Sequence, residues 1–599
     1  MEKIYSYYRQ NITAGREKAE RLRKIIHFAG TLRLAIVIAA VGTLWFCREE
    51  NWYWWVAAVL PYAVPFAALM VYHNRLSGRK SYIEAMTALN ENELKGLDYD
   101  YSAFDGAPEK SSDEHPFSLD LDIFGDRSIF QLINRTVTRQ GKDVLAEWLL
   151  SPLNDREKIL KRQEAIRELA DRTPLRQHFY VTGTGGKSDR KDSAALNSMA
   201  GEESYFSKNR FWRVMIWAVP GIWIVMLAGF AFDWVSGGMV GMFFSVSFVL
   251  ANITGHRISR LYRSVDKMEK IFAVYSDLMK AIEESSFKSD ELRLVHNRLT
   301  DDGKGLAASK IVRQLSGYIG GLDQRYSFAG IVLNILYLRD TRHALLLERW
   351  KEEHREDVAE WIGALARFDA YCSLAGFAFN HPDYIYPAIA GDYFRMEGKA
   401  LGHPLLHRDI CVRNDVNIRK SPSFLVITGA NMAGKSTYLR TVGVNYMLAC
   451  MGAPVFAESL TVYPACLVTG LRTSDSLVSH ESYFFAELKR LKMIIDRLKG
   501  GEELFIILDE ILKGTNSVDK QKGSLALMKQ LVGFNTCGII ATHDLVLGTL
   551  AEEFPGEIRN YRFEADIKSD ELSFSYMLRE GIAQNMNACF LMKQMGITL

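Results

Sequence analysis

The sequence predicts a multidomain chain in which an all-α helical core carries two transmembrane helical hairpins and precedes a C-terminal α/β domain. Three observations support this fold class. Four strongly apolar stretches interrupt the first half of the chain, and apolar residues elsewhere before residue 386 recur at helical spacing. After residue 386, short β-rich runs alternate with helices, as in a parallel sheet.

The predicted domain boundaries follow these changes in composition. The chain of 599 residues has room for about three or four domains. We expect, in order, a basic N-terminus with the first hairpin, the first part of the helical core, the second hairpin, the second part of the core and the α/β domain, at residues 1–80, 81–210, 211–258, 259–385 and 386–599.

Composition excludes several classes of protein. The net charge is +2, so the chain lacks the global positive field of a dedicated nucleic-acid binder, and any DNA contact must be local. The seven cysteines are scattered without a CxxC pair, which argues against a disulfide scaffold or a structural zinc site and favours a reducing compartment.

The apolar stretches have the length of membrane-spanning helices. Residues 52–72, 214–232 and 234–255 carry no charge over 21, 19 and 22 residues, enough to cross ~30 Å of hydrocarbon. The shorter stretch at residues 34–47 extends back to residue 28 if Arg33 reaches the headgroups. Short connections pair the four stretches into two hairpins. A buried helical hairpin in a soluble protein remains the alternative.

Flanking charges predict the orientation of these helices. Residues 1–33 hold eight Lys or Arg against three Glu. Further cations flank both hairpins, namely Arg75, Arg79, Lys80, Lys208, Arg210, Arg213, Arg257, Arg260 and Arg263. By the positive-inside rule we expect an integral protein of the cytoplasmic membrane, anchored in the lipid bilayer by four helices, with both termini and the α/β domain in the cytoplasm.

The remaining elements are predicted from periodicity. Residues 117–179 and 256–380 are predicted to be largely helical. In the α/β domain we expect strands at 424–428, 504–508 and 538–542, and helices at 435–450, 481–498 and 522–531. A β-hairpin of residues 558–565 and 572–578 and a final helix at 585–595 are expected to close the chain.

A glycine-containing loop joins the first of these strands to the first helix. It comprises Gly429, Ala430, Asn431, Met432, Ala433, Gly434, Lys435 and Ser436. This is a phosphate-loop pattern in the strand-to-helix context that it requires. The glycines let backbone N–H groups surround a β-phosphate, Lys435 reaches the β- and γ-phosphates, and the Ser436 hydroxyl can ligate Mg²⁺. The loop therefore predicts ATP and Mg²⁺ as cofactors.

Two further strand ends complete the predicted site. A buried strand ends in Asp509, which can hold the Mg²⁺ shell, and Glu510, which can orient the attacking water. His543 follows the next strand and can hydrogen-bond the γ-phosphate. Each residue alone has an ordinary explanation, a solvated strand end or a neighbour of a helix N-cap. Together, in this order, they predict a Mg²⁺-dependent ATP hydrolase.

These motifs resemble those of the MutS family of DNA mismatch-repair ATPases. Residues 428–437 resemble its phosphate loop through the Asn-Met pair, and the resemblance adds Thr437 to the nucleotide-binding residues. Residues 508–515 resemble its carboxylate strand and dimer-contact loop, 402–415 the entry to its ATPase domain, and 135–153 the start of its helical core. The resemblance covers residues 117–180 and 355–599 and implies an ATPase domain of the ABC-like type.

The resemblance also implies a homodimer with composite sites. In the family, a Ser-rich segment that opens a helix contacts the γ-phosphate held by the partner subunit. Ser482 would fill this role here, although its neighbours Glu481 and Tyr483 differ from the usual pattern. A plain helix N-cap is the alternative role of this segment. Residues 518–523 resemble an insertion relative to the family.

Other family features are not expected. The N-terminus is occupied by a basic segment and a hairpin, so we expect no mismatch-recognition domain. The segment between Ser259 and Glu348 is too short for a long clamp, and we expect no nuclease domain after the ATPase domain. The leading hypothesis is a membrane-anchored, mismatch-repair-type ATPase with DNA as a candidate partner. The alternatives are an ATP-driven membrane conformational switch or assembly factor without DNA, and, third, a transporter.

Overall fold

The computed structural model describes residues 1–46, 52–185, 204–265, 268–300, 307–323, 325, 327–430, 432–472, 483–513, 516–568 and 571–584. Side chains are described for these residues except 52–54, 56–58, 263–265, 329, 483, 565–568 and 571–573. The chain forms two compact units. Unit 1 comprises Met1–Arg135, Leu145–Thr173 and Cys372–Leu599, and unit 2 comprises Thr136–Val144 and Pro174–Tyr371. The predicted domain boundaries stay predictions.

The first part of the chain is helical, as predicted. Its helices are α1 Glu2–Phe46, α2 Trp52–Leu97, α3 Ile129–Ile133, α4 Arg139–Leu150, α5 Arg156–Ala170, α6 Thr173–Thr184, α7 Arg210–Ala231, α8 Gly237–Ile253, α9 Gly255–Val265, α10 Met268–Glu283, α11 Asp290–Thr300, α12 Ala308–Asp323, α13 Phe328–Tyr337 and α14 Arg339–Asn380. A single 3₁₀ turn, Pro108–Lys110, interrupts the described part of the connection between α2 and α3.

In unit 1, α1 and α2 form a long antiparallel pair. Near its tip the hydroxyls of Thr43 and Tyr62 lie 2.9 Å apart. At its opposite end, the Tyr8 hydroxyl donates to Asn380 Oδ1 at 2.7 Å, and Tyr8 packs with Leu97 and Phe379. The pair is therefore fixed at the end away from its apolar tip, beside the start of the α/β domain.

In unit 2, α7 and α8 form a second antiparallel pair. Val219 and Trp223 of α7 pack with Ala251 of α8, and Trp223 Nε1 donates to Ser247 Oγ at 3.2 Å. Three described helices are long and apolar enough to cross a membrane: α1, α7 and the continuous segment of residues 237–262. The fourth predicted stretch, in α2, lies partly outside the described side chains. Only 6%, 22% and 17% of the three apolar windows is buried, so the protein covers little of their surface.

The C-terminal part is an α/β domain, as predicted. Its strands are β1 Ala388–Ile389, β2 Met396–Leu401, β3 Asn414–Ile418, β4 Ser423–Gly429, β5 Ser459–Val462, β6 Cys466–Gly470, β7 Leu504–Asp509, β8 Cys537–Thr542, β9 Ile558–Phe563, β10 Ala565–Lys568, β11 Glu571–Phe574 and β12 Arg579–Glu580. Its helices are α15 Lys435–Cys450, α16 Tyr483–Lys499, α17 Ser517–Gly533 and α18 Leu550–Glu553, with a 3₁₀ turn at Leu545–Thr549.

The central sheet has the strand order β12-β9-β4-β8-β7-β6. All neighbours are parallel except β12, which is antiparallel to β9. Strands β4, β7 and β8 are buried along their whole length, which explains their nearly continuous apolar sequences. Because β4, β7 and β8 are parallel neighbours, the residues after their carboxyl ends meet at one edge of the sheet. A second sheet has the order β1-β5-β2-β3.

One sequence-based expectation about this domain is wrong in part, namely the first strand of the C-terminal hairpin. Residues 558–563 are not the first strand of the predicted hairpin: they form β9, which joins the central sheet parallel to β4, with Ile558 and Phe563 buried. The hairpin is formed by β10 and β11, in which Ala565 pairs with Phe574. Residues 518–523 lie in the first turns of α17, which the Asn516 side chain caps by accepting from the N–H of Asp519 at 2.9 Å. Their resemblance to an insertion relative to the family stays a prediction. The predicted final helix lies outside the described residues.

Candidate nucleotide-binding site

The phosphate loop connects β4 to α15 by a tight turn. Gly429 ends β4, and a Cβ atom there would lie 2.4 Å from the carbonyl oxygen of Phe563 on the neighbouring strand. Gly434 adopts a left-handed conformation, with φ 107°, at the N-cap of α15. Ala430, Ala433, Ser436 and Thr437 complete the described loop, together with the exposed Met432, whereas Asn431 lies outside the described residues. The first turn of α15 thus presents its N–H groups to a ligand.

Lys435 is folded back onto the loop that precedes it. Its ammonium nitrogen donates to the carbonyl oxygens of Gly429 and Ala430 at 2.8 and 2.9 Å, and it lies 3.4 Å from His543 Nε2. The side chain is 5% exposed, and burial lowers the pKa of its amine to about 8. The loop therefore holds a buried cation at the position where a phosphate group would need one.

Ser436 and Asp509 form a pair suited to a hard divalent cation. The Ser436 hydroxyl donates to Asp509 Oδ2 at 2.5 Å. The other carboxylate oxygen, Oδ1, is buried and has no hydrogen-bond partner in the described part of the chain. One hydroxyl and one carboxylate are the protein ligands that Mg²⁺ takes at phosphate sites. The unpartnered Oδ1 is the observation that fits these residues to Mg²⁺.

Glu510 and His543 meet at the ends of neighbouring strands. His543 Nε2 lies 2.8 Å from Glu510 Oε1, and Lys513 Nζ lies 3.9 Å from Oε2. The hydrogen bond from His543 is the main cause that lowers the pKa of Glu510 to about 2. Glu510 has a left-handed φ of 52°, which turns its side chain out of the strand direction. The structure therefore brings together Lys435, Ser436, Asp509, Glu510 and His543.

Two predicted site residues, Asn431 and Ser482, lie outside the described part of the chain. The neighbours of Ser482 at 479–481 also lie outside it, as do Gly514 and Thr515. Helix α16 is described from Tyr483 onward. The predicted contact of Ser482 with a partner subunit stays a prediction.

Glu487 is a residue of the site that sequence reasoning did not assign. It lies on α16, and its carboxylate accepts from the backbone N–H groups of Leu512 at 2.5 Å and Lys513 at 3.1 Å. The loop that it holds follows Glu510 directly and contains a second left-handed residue, Leu512, with φ 60°. Glu487 thus ties α16 to the carboxylate end of β7. An acidic residue within an amphipathic helix is ordinary, so the sequence gave no signal of this contact.

Sequence reasoning also missed a cluster of hydrogen bonds around the carboxylate of Asp120. This carboxylate is 1% exposed and accepts from the hydroxyl of Thr469 at 2.5 Å and from the N–H groups of Leu471 and Arg472. Arg490 of α16 lies 3.5 Å from the same carboxylate. Asp120 therefore fixes the end of β6, beside the strand that carries Asp509. Asp120 lies in an acidic loop 349 residues before Thr469, so no local sequence pattern indicated this contact.

The arrangement of loop, lysine, serine, aspartate and glutamate at the carboxyl ends of parallel strands is typical of phosphate-loop nucleotide-binding domains. The family model for MutS domain III matches residues 117–375, and that for MutS domain V matches residues 425–595. The chain therefore belongs to the MutS family.

Similar curated proteins agree with this family. The chain is 33% identical over 263 residues to the DNA mismatch repair protein MutS of Natronomonas pharaonis, covering 42% of this chain and 30% of that protein. The DNA mismatch repair protein MutS of Thermotoga maritima is 29% identical over 250 residues, with 41% and 31% covered. The DNA mismatch repair protein MutS 2 of Halobacterium salinarum is 34% identical over 227 residues, with 37% and 25% covered. The match spans about a third or less of these relatives.

Proposed function

We propose that this protein is a membrane-anchored, Mg²⁺-dependent ATPase that acts on DNA in a process of the mismatch-repair type. The observation that carries the ATPase assignment is the pair of Ser436 and Asp509, with its unpartnered Oδ1, beside Lys435 and Glu510. The names of the relatives, which are DNA mismatch repair proteins, support DNA as the partner.

Each residue of the site has a role that follows from its position. The Lys435 ammonium leaves the two loop carbonyls and binds the β- and γ-phosphate oxygens, while the N–H groups of the loop surround the β-phosphate. Ser436 and Asp509 hold Mg²⁺, which neutralises charge on the phosphates when it is bound. The same loop segment also contains Ala430, Asn431, Met432 and Thr437.

Glu510 orients the attacking water rather than titrating near neutral pH. A carboxylate whose pKa is about 2 stays ionised and accepts a hydrogen bond from water at any working pH. His543 fixes its orientation through the 2.8 Å contact. Its ring also lies beside the Lys435 ammonium, where it would hydrogen-bond a bound γ-phosphate. Hydrolysis then depends on alignment and electrostatics, as expected for phosphoryl transfer.

The active form is proposed to be a homodimer. In this arrangement Ser482, which directly precedes Tyr483 in the sequence, contacts the γ-phosphate bound by the partner, so that each site is complete only with residues of both subunits. Glu487 supports the idea, because it lies on α16 and holds the loop that follows Glu510. ATP binding in one subunit would in this way be sensed by α16 of the other.

The membrane part of the proposal rests on helix length and uncovered apolar surface. We propose that four helices, in two hairpins, anchor the protein in the cytoplasmic membrane, with both termini and the ATPase domain in the cytoplasm. Helices α1 and α7 and residues 237–262 are long and apolar enough to span, and the protein itself buries little of them. The flanking Lys and Arg residues support the cytoplasmic side.

The uncovered apolar helices also favour a second candidate, an ATP-driven membrane switch that does not bind DNA. Binding of homoduplex and mismatched DNA by the full-length protein in detergent, with and without ATP, over a range of salt concentrations, separates the two. The first function predicts ATP-dependent binding that weakens steeply with salt. A protein that hydrolyses ATP and retains neither DNA at low salt is the membrane switch.

A further inference from the structure

Helix α13 (Phe328–Tyr337) is an apolar helix of unit 2 that lies outside the four predicted membrane stretches. Its sequence, FAGIVLNILY, contains no charged residue and one amide, Asn334. The residue that ends it, Leu338, is fully buried among Val219 and Trp223 of α7 and Ala251 of α8. Helix α13 is therefore packed onto the second hairpin.

The opposite face of α13 is uncovered. Its exposed side chains are large and apolar: Phe328 is 85% exposed, Ile331 48%, Val332 38%, Leu333 40% and Tyr337 46%. No element of the described chain covers them. Helix α7, on which α13 packs, also exposes large apolar side chains: Trp217 and Ile224 are both 66% exposed. An apolar surface of this extent in contact with water is unusual for a soluble domain.

The segments that flank α13 on both sides are tied to residues 254–259, where α8 ends and α9 begins. On the N-terminal side, Arg325 donates to Ser259 Oγ at 3.0 Å and to the Gly255 carbonyl at 3.4 Å. On the C-terminal side, the hydroxyls of Thr341 and Thr254 lie 3.2 Å apart. Residues 254–259 directly follow the apolar part of α8, at the end where charges begin. A ten-residue helix is about 15 Å long. It cannot cross ~30 Å of hydrocarbon, and both of its ends lie at one boundary.

The surroundings of α13 suit phospholipid headgroups. Arg257 and Arg260 are exposed on the segment to which α13 is tied. Arg342 lies over the ring of Trp217, with its guanidinium carbon 5.0 Å from the ring centroid. Cations and a tryptophan at one level are typical of the boundary between headgroups and acyl chains. The side chain of Ser327 caps the N-terminus of α13, because its oxygen accepts from the N–H of Gly330 at 3.0 Å. A helix that faces lipid needs such partners for its backbone N–H groups.

We propose that α13 is an interfacial membrane helix: it lies along the boundary of the cytoplasmic leaflet and inserts Phe328, Ile331, Val332, Leu333 and Tyr337 among lipid acyl chains. This inference rests on the membrane anchoring proposed above and adds a fifth contact with the bilayer. Because α14 begins one residue after Leu338, the long helix of the core starts at the membrane surface.

Depth-dependent fluorescence quenching tests this placement. A genetically encoded fluorescent amino acid replaces one residue at a time in the full-length protein, which is reconstituted into vesicles that contain phosphatidylglycerol and nitroxide-labelled lipids. The sites are Ile331 on α13, with Val332 as a second probe, and two references: Ile224 in the middle of α7, and Leu294 on α11, which is 45% exposed. Thermal unfolding is compared first, so that only folded variants are used.

We expect the fluorescence of probes at Ile331 and Val332 to be quenched at least twofold more strongly by a nitroxide near the headgroups than by one deep in the acyl chains. Ile224 should show the reverse order, and Leu294 should be quenched by neither. If Ile224 is quenched and α13 behaves like Leu294, the inference is wrong and the anchoring stands. If neither Ile224 nor α13 is quenched, both are wrong. Protection of α13 from aqueous iodide and from both lipid quenchers would mean that a protein surface covers it.

Discussion

At the scale of single residues, the site holds its main cation in a resting position. The Lys435 ammonium is bound by two carbonyl oxygens of its own loop, and the carboxylate of Glu510 is already oriented by His543. Nucleotide binding therefore exchanges existing hydrogen bonds of Lys435 for new ones, whereas Glu510 needs little adjustment. These two residues should give different phenotypes when they are replaced.

Lys435→Ala should abolish ATP binding, because the ammonium group that binds the β- and γ-phosphates in the proposed complex is lost. Glu510→Ala should bind ATP normally and hydrolyse it on the order of 10²-fold more slowly, because the water is no longer aligned. Filter binding of labelled ATP and phosphate release measure the two effects. Glu552→Ala, on the exposed surface of α18, is the control. Parental hydrolysis by Glu510→Ala would show that another group orients the water.

Nucleotide binding should take up protons at alkaline pH. The pKa of Lys435 is about 8 in the free protein, below its ordinary value of 10.5, so the amine is largely neutral at pH 9. Bound phosphate favours the charged amine and raises this pKa, so binding at pH 9 should take up about one proton per site, whereas uptake through this group should be small at pH 7. Calorimetric titrations in two buffers of different ionisation enthalpy measure this uptake.

Lys435→Arg provides the matched control for the titration. Its guanidinium is charged at pH 9 whether or not nucleotide is bound, so this variant should give no proton uptake from this group. Heats of binding that do not depend on the buffer at pH 9 in the parental protein would contradict the pKa of Lys435.

At the scale of elements, strands β4, β7 and β8 and helix α15 were predictable because each is a continuous local pattern. An unbroken apolar run such as Phe505–Leu508 has few structures open to it other than a buried strand, and the residues after it define the site. The partner of β9 was not predictable, because pairing depends on which neighbour offers a free edge rather than on the strand's own residues. The contacts of Asp120 and Glu487 join distant segments and leave no local pattern.

Glu487→Gln should slow ATP hydrolysis with little change in KM. The amide keeps the size of the side chain and one acceptor oxygen, but it weakens the hold on the N–H groups of Leu512 and Lys513, which follow Glu510. A misaligned Glu510 affects the transition state more than ATP binding, so we expect a roughly tenfold loss of kcat. Steady-state kinetics measure both constants. An unchanged kcat would show that this loop does not position Glu510.

Asp120→Ala should destabilise unit 1. It removes an acceptor from Thr469, Leu471 and Arg472 and leaves Arg490, which is largely buried, without its carboxylate partner. Loss of one partner from such a buried network costs about 3 kcal/mol. The urea dependence of unfolding measures the loss, with Asp113→Ala, in the exposed part of the same loop, as the control. Equal stability of the two variants would contradict this role of Asp120.

At the scale of the whole molecule, the chain combines MutS domains III and V with helices suited to a membrane. The family resemblance was detectable from sequence because the phosphate loop and the carboxylate strand are contiguous motifs. The proposed dimer is a different matter, since it depends on residue 482, which lies outside the described part of the chain. Only an experiment on two subunits can test it.

Mixing inactive variants should restore activity if the sites are composite. Lys435→Ala and Ser482→Ala should each be inactive alone, but one of the two sites in a mixed dimer has both residues intact. The Ser482 variant is inactive alone because a charge-assisted hydrogen bond to the γ-phosphate is worth about 2 to 4 kcal/mol. With random mixing and independent sites, we expect ATPase activity of up to about a quarter of the parental rate. Absence of rescue, together with an ATPase rate independent of protein concentration, would indicate that the monomer is the active form.

The length of the α1–α2 pair determines how far its Tyr8 end lies from the charged lipid surface in the proposed arrangement. The two helices have 45 and 46 residues and are therefore about 68 Å long. In the proposed arrangement ~30 Å of this length lies in hydrocarbon, so that about 40 Å extends into the cytoplasm before Tyr8 meets Asn380. The Debye length at physiological ionic strength is about 8 Å. The negative potential of the lipid surface is therefore almost completely screened at the end of the pair, and neither a nucleotide nor a nucleic acid approaching there would be repelled by the membrane.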